Sequence, residues 1–74
     1  MNELLNLLKE NCPGVDFENS NSLVDDEILE SLDIVTIVSA IMDEYNVEVS
    51  VEDLIPENFN SVSAMYDLIT RLKG

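Results

Sequence analysis

Apolar residues recur at helical spacing in three stretches of the chain. In residues 2–11, Leu4, Leu5, Leu7 and Leu8, followed by Cys12, are three and four apart. That spacing puts them on one face of a helix. Asn2 or Glu3 suits its start, Lys9 suits its end, and Pro13-Gly14 stops it. Residues 31–45 predict a second helix. On a wheel of about 100° per residue with Leu32 at the origin, Ile37, Ile41, Ile34, Tyr45, Val38, Met42 and Val35 fill one continuous arc. Asp33, Thr36, Ser39, Ala40, Asp43 and Glu44 fill the other, and Leu32 sits among them, aimed away from the core. Residues 62–72 predict a last helix with Val62, Met65, Tyr66, Ile69 and Leu72 as its stripe. Asn60 or Ser61 caps it, and Arg71 and Lys73 complement the dipole at its end.

Between these stretches the pattern changes. Residues 15–29 form a polar loop, and Val15, Phe17, Leu23, Val24, Ile28 and Leu29 are the apolar residues that pin it. Long loops of this kind often carry function. In residues 46–52, Val47, Val49 and Val51 alternate with Glu48, Ser50 and Glu52. Alternation is strand-like, but no second strand exists to pair with it, and an extended loop is the rival reading. Ser50-Val51-Glu52-Asp53 resembles an acidic capping box and predicts one helical turn over residues 51–54. Pro56 ends that turn by biasing Ile55 away from helical angles, and Phe59 anchors the segment in the core. The expected fold is all-α: a small four-helix bundle of three main helices and one short one, with a long loop between the first two. The 74 residues make a single domain.

Composition sharpens this picture. Hydrophobic residues make up 46% of the chain and aromatics only 5%, so the core is aliphatic. Sixteen acids face three bases with no histidine, for a formal net charge of -13. No basic residue stands between Lys9 and Arg71. Nucleic-acid binding through phosphates is excluded, since nothing can displace counterions. Anionic membrane surfaces are excluded for the same reason. Basic protein partners are favoured, and self-repulsion favours a monomer. The first residues lack a positive n-region, and no apolar run approaches the ~20 residues of a membrane span. A soluble cytoplasmic protein is expected.

Most catalytic chemistry fails on inventory. Without histidine, Ser-His-Asp and Cys-His constellations cannot form. Gly14 and Gly74 are the only glycines, so there is no phosphate-cradling glycine loop. A calcium loop counted from Asp25 has Glu30 at its sixth position and Thr36 at its twelfth; counted from Asp26, it has Ser31 and Ile37. Glycine and glutamate are required there, so both registers fail. Cys12 stands alone and reads as a small reduced residue at a helix end. The chain is expected to be no enzyme and to hold no metal.

Ser31 remains, at the junction of the long loop and the second helix. Two readings stay open. Serine is a favoured N-cap, and Ser31 then serves the helix alone, in an acidic protein-interaction module. Alternatively it is a modification point. A phosphodiester there would meet free amides and the positive end of the helix dipole.

Over essentially its whole length the chain resembles the acyl carrier protein family. The resemblance rests on the leucine-rich first helix, the long loop, and Glu30-Ser31-Leu32 in place of an Asp-Ser-Leu motif. It continues through the acidic second helix, Glu44-Tyr45-Asn46-Val47-Glu48-Val49, and Phe59-Asn60-Ser61-Val62. It implies a carrier whose Ser31 receives a 4'-phosphopantetheine arm from coenzyme A through a phosphopantetheinyl transferase. The arm's thiol then bears an acyl or aminoacyl group as a thioester, in fatty-acid, polyketide or related biosynthesis. An adenylating ligase and acyl-processing enzymes with basic patches are the implied partners. Leu32 and Val35, with Thr36 and Ser39, would form the apolar centre of a docking surface, and Glu30, Asp33 and Asp43 its charged rim. The chain departs from the family at Glu30, where aspartate is usual, and at Thr36 and Met42, where acids are common. Those departures fit a specialised carrier with its own ligase.

Overall fold

The computed structural model describes residues 2–74. It contains α1 (Asn2–Asn11), α2 (Ser31–Tyr45), a 3-10 turn (Val51–Asp53), α3 (Pro56–Phe59) and α4 (Val62–Lys73). Among the described residues there is no strand. The architecture is the expected small helical bundle, three main helices with short helical pieces before the last.

The core draws on all four α-helices and on the long loop. Leu4 and Leu8 of α1, Ile37 and Ile41 of α2, Phe59 of α3, and Met65, Leu68 and Ile69 of α4 are buried together. Phe17, Leu23 and Leu29 join them from the long loop. Burying each such side chain contributes roughly 1.5–3 kcal/mol. The loop therefore belongs to the core and is held by it. Its expected pin Ile28 is the exception, at 39% exposure.

The stripe of α4 is rotated from the one expected. Leu68 is buried, whereas Tyr66 is 40% exposed. At about 100° per residue, Met65, Leu68, Ile69 and Leu72 share one arc, and Tyr66 lies at its edge. Tyrosine tolerates that edge because its hydroxyl can stay in water.

The valine alternation of residues 46–52 produces no strand. Asn46 closes α2 in the left-handed region (φ 54°, ψ 45°), and the chain then runs extended. Val47 and Val49 are half-buried, while Val51 is exposed and opens the 3-10 turn. That turn starts as its capping pattern predicts: Asp53 Oδ2 accepts from the Ser50 amide (3.1 Å) and hydroxyl (3.0 Å). Pro56 does hold Ile55 extended (φ −115°, ψ 150°), but it also stands at the first position of α3. Proline suits that position because the helix asks no N–H of it. The four-residue helix it starts was not foreseen.

One polar side chain ties the loop to the far end of the chain. Asn60 Oδ1 accepts from the amides of Val24 (3.0 Å) and Asp25 (3.1 Å), and its Nδ2 donates to Asp25 Oδ2 (3.1 Å). Its backbone carbonyl accepts from the Leu23 amide at 2.9 Å. Asn60 therefore clamps the loop, and the cap of α4 is Ser61, whose Oγ accepts from the Ala64 amide at 3.0 Å.

Candidate functional site

The site is built around the start of α2. Its first helical hydrogen bond runs from the Ile34 amide to the Glu30 carbonyl, at 3.0 Å. Glu30 has extended angles (φ −92°, ψ 172°) and is the N-cap. Asp33 closes a capping box by accepting the Glu30 amide at Oδ2, 3.1 Å away. The expectation that Ser31 could be the cap is therefore corrected. The Asp33 carboxylate fixes the extended residue one position earlier, and Ser31 is the first residue inside the helix.

This shift frees the Ser31 hydroxyl. Ser31 is exposed, and among the described residues no hydrogen bond engages its Oγ. The amides of Ser31 and Leu32 precede the first helical bond, so no helical carbonyl reaches them. An anion joined to Ser31 would face these donors and the positive end of the dipole.

Two clefts meet beside the serine. The first, about 470 Å³, is lined by Val24, Glu27, Leu29, Glu30, Ser31 and Ile34. The second, about 110 Å³, is lined by Val24, Ile34, Leu54, Ile55, Pro56 and Phe59 and is apolar. Val24 and Ile34 belong to both. A flexible arm rooted at Ser31 has a trough to lie in and an apolar recess at its side. The residues present thus suit 4'-phosphopantetheine, with a free hydroxyl for its phosphate, a trough of mixed polar and apolar lining for its amide-bearing arm, and an apolar recess beside it.

The charges around the start of α2 are negative. Glu30 and Asp43 are exposed, as are Glu27, Asp25 and Asp26 in the adjoining loop. The three cations are engaged away from the start of α2: Lys9 pairs with Glu18, Arg71 donates to Asn58 Oδ1 (3.0 Å), and Lys73 lies over the ring of Tyr45 at the far end of the helix (5.7 Å). Leu32 is 78% exposed, on the open face where the wheel puts it, and Val35, which the wheel puts at the edge of the apolar arc, is 61% exposed and stands on the open face as well. Thr36 and Ser39 are exposed beside them, with the Thr36 hydroxyl donating to the Leu32 carbonyl at 2.9 Å. Asp33 differs from the other predicted rim acids. It is half-buried and turned inward, with Oδ1 4.0 Å from Cys12 Sγ.

Cys12 is buried at the end of α1, as a free thiol. Burial first, and then the Asp33 charge, push its pKa upward. A thiol held neutral is a poor nucleophile. Its thiol faces Oδ1 of Asp33, the residue whose other oxygen closes the capping box on Glu30. Sequence reasoning missed Asn60 and the second cleft. An Asn in a helix-flanking Phe-Asn-Ser run signals a cap, and nothing local shows that it reaches a loop thirty-five residues away.

Among the described residues, no helix is long and apolar enough to cross a membrane, and no cluster of acids or thiols has the arrangement of a metal site. A family profile described as a phosphopantetheine attachment site matches residues 2–69. Among curated proteins, the acyl carrier protein of Buchnera aphidicola subsp. Baizongia pistaciae (strain Bp) is 38% identical over 53 residues. That match covers 72% of this chain and 65% of the relative, so the chain spans just under two thirds of that protein's length. No solved structure gives a significant match. The family bears covalent 4'-phosphopantetheine, and its members are carriers, not catalysts. With nearly its whole length matched, the chain belongs to the phosphopantetheine attachment-site family, that of the acyl carrier proteins.

Proposed function

We propose that this chain is a carrier that holds acyl or aminoacyl groups as thioesters on a 4'-phosphopantetheine arm joined to Ser31. The observation that carries this reading is the Ser31 hydroxyl itself. It is exposed, at the first position of α2, with no hydrogen bond to its Oγ among the described residues, and it lies beside a trough walled by Val24, Leu29 and Ile34 on its apolar side and by Glu27 and Glu30 on its acidic one. In the loading step, Ser31 Oγ attacks the phosphorus of coenzyme A nearest the pantetheine. The phosphoanhydride bond breaks, adenosine 3',5'-bisphosphate leaves, and a base of the transferase takes the serine proton. When bound, the arm supplies a thiol that keeps its cargo activated for transfer. The chain's own work is to seat the phosphodiester at the amides of Ser31 and Leu32 and to present the arm.

Docking follows from the same face. Leu32 and Val35 are the apolar centre; Glu30 and Asp43 are its outer charges, while Asp33 contributes chiefly by holding the helix start. A field of this sign accelerates encounter with basic patches on the transferase, on an adenylating ligase and on acyl-processing enzymes. Hand-over needs weak, fast docking, which a small apolar centre with a charged rim provides. We read it as a cytoplasmic monomer of one domain: self-repulsion of the charge supports the monomer, and the shared core supports the single domain.

Intact mass after incubation with coenzyme A and a broad-specificity phosphopantetheinyl transferase tests the reading. The protein gains one phosphopantetheine group, Ser31→Ala gains none, and Glu30→Asp is loaded at least as fast. A folded, unmodified protein that gains nothing, with or without Glu30→Asp, is an acidic interaction module instead.

A further inference from the structure

The two clefts beside Ser31 share a wall, and that wall is held from a distance. Val24 lines both the trough next to Ser31 and the apolar recess bounded by Leu54, Ile55, Pro56 and Phe59. The Val24 amide donates to Asn60 Oδ1 at 3.0 Å, and the neighbouring Asp25 amide donates to the same oxygen at 3.1 Å. Asn60 Nδ2 returns a bond to the Asp25 carboxylate at 3.1 Å. One bond higher, the Leu23 amide donates to the Asn60 carbonyl at 2.9 Å. Four hydrogen bonds from one residue thus fix three consecutive loop residues, the middle one being the shared wall.

Asn60 also follows directly on Phe59, a buried wall of the recess. Any movement of residue 60 shifts both sides of the recess, through Phe59 on one side and Val24 on the other. No charged residue of α2 shares this role, because Ile34 is the only α2 residue lining the recess.

Resting on the carrier reading above, we infer that Asn60 is a positioning residue that sets the passage from the Ser31 trough to the apolar recess, and with it the acyl cargo the carrier shields. The recess admits an apolar chain end and offers a charged or polar cargo no partner. With the clamp closed, its small volume of about 110 Å³ favours a short acyl chain.

The experiment loads acetyl and butanoyl pantetheine onto Ser31 from the matching acyl-coenzyme A with a phosphopantetheinyl transferase. The rate at which hydroxylamine cleaves each thioester is then compared with the same acyl-coenzyme A. In the unaltered chain, butanoyl is protected over acetyl by up to about fifteenfold, the equivalent of burying two methylenes. Asn60→Asp keeps the acceptor for the Val24 and Asp25 amides but sets a second carboxylate against Asp25, and the ratio falls toward one. Adding Asp25→Asn to Asn60→Asp restores an N–H···O contact between the two side chains at unchanged net charge, and the ratio recovers. A tie that only stabilises the fold lowers the melting midpoint and leaves the ratio alone; that result overturns the inference. Val24→Ala trims the wall without touching Asn60 and lowers the ratio even where an Asn60 variant fails to fold; an unchanged ratio in this variant likewise overturns it. If no acyl-pantetheine joins Ser31 at all, it is the carrier reading that fails, and the mass spectrum separates that outcome from the others.

Discussion

The carboxylate of Asp33 reaches back to the backbone amide of Glu30, 3.1 Å away, and makes Glu30 the N-cap of α2. Ser31 is thereby left inside the helix with a hydroxyl that the helix does not use. Stability should follow this division. Ser31→Ala is expected to change unfolding free energy by no more than about 0.5 kcal/mol, the usual range for an exposed position. Asp33→Ala should cost about 1 kcal/mol, the typical loss on removing a helix cap. Urea unfolding followed by circular dichroism separates the two; equal losses would return Ser31 to the role of cap.

Leu32 offers a second contrast. At 78% exposure it contributes little to the core, so Leu32→Ser should leave the melting midpoint within experimental scatter. Ile41, fully buried one helical face away, should lose about 2–5 kcal/mol on truncation to Ala. If Leu32 is the centre of docking, Leu32→Ser slows loading by the transferase while the fold is intact. A folded variant loaded at the normal rate would remove Leu32 from the docking surface.

The charge of -13 carries its own consequence. Self-repulsion among the exposed acids is screened as salt shortens the Debye length from roughly 30 Å at 0.01 M to below 10 Å. The thermal midpoint should rise across about 10 to 300 mM salt, and further with magnesium. A flat midpoint would mean that the acids are spaced widely enough not to oppose folding.

Cys12 gives the pH dependence. Its folded pKa is raised above the ordinary 9.0, first by burial and then by Asp33. The stabilisation is fully present below that unfolded value and is lost as pH rises through the folded one. Above pH 9 the unfolded chain binds fewer protons at this thiol than the folded chain does, so stability falls as alkali is added. Tyr45, also shifted upward chiefly by burial, adds a similar fall starting near its ordinary value of 10.0. Cys12→Ala should flatten the earlier part of the decline, measured as urea midpoints at stepped pH. An identical slope in the variant would show that the thiol is not responsible.

The helices were legible because their signals are local. The spacing of Leu4 and Leu8, the arc of Ile37 and Ile41, and the serine before Val62 each lie within one or two turns. The exposed Leu32 was equally plain on the wheel. What the sequence hid depends on contacts between distant segments. The span of α2 was legible too, but its cap was not, because serine, glutamate and aspartate all compete for that place and only the fold shows which oxygen accepts. Pro56 signals both an ending and a beginning, and the burial of Phe59 decides that a helix follows. Asn60 bonds Asp25 across thirty-five positions, which no local pattern can announce.

The most direct test is where the added mass resides. After incubation with coenzyme A and a phosphopantetheinyl transferase, the protein is digested and its peptides are fragmented. The account predicts a single phosphopantetheine group on Ser31, with every other serine unmodified and no gain in Ser31→Ala. A folded protein that stays unmodified, or one that takes the group at another residue, would contradict it.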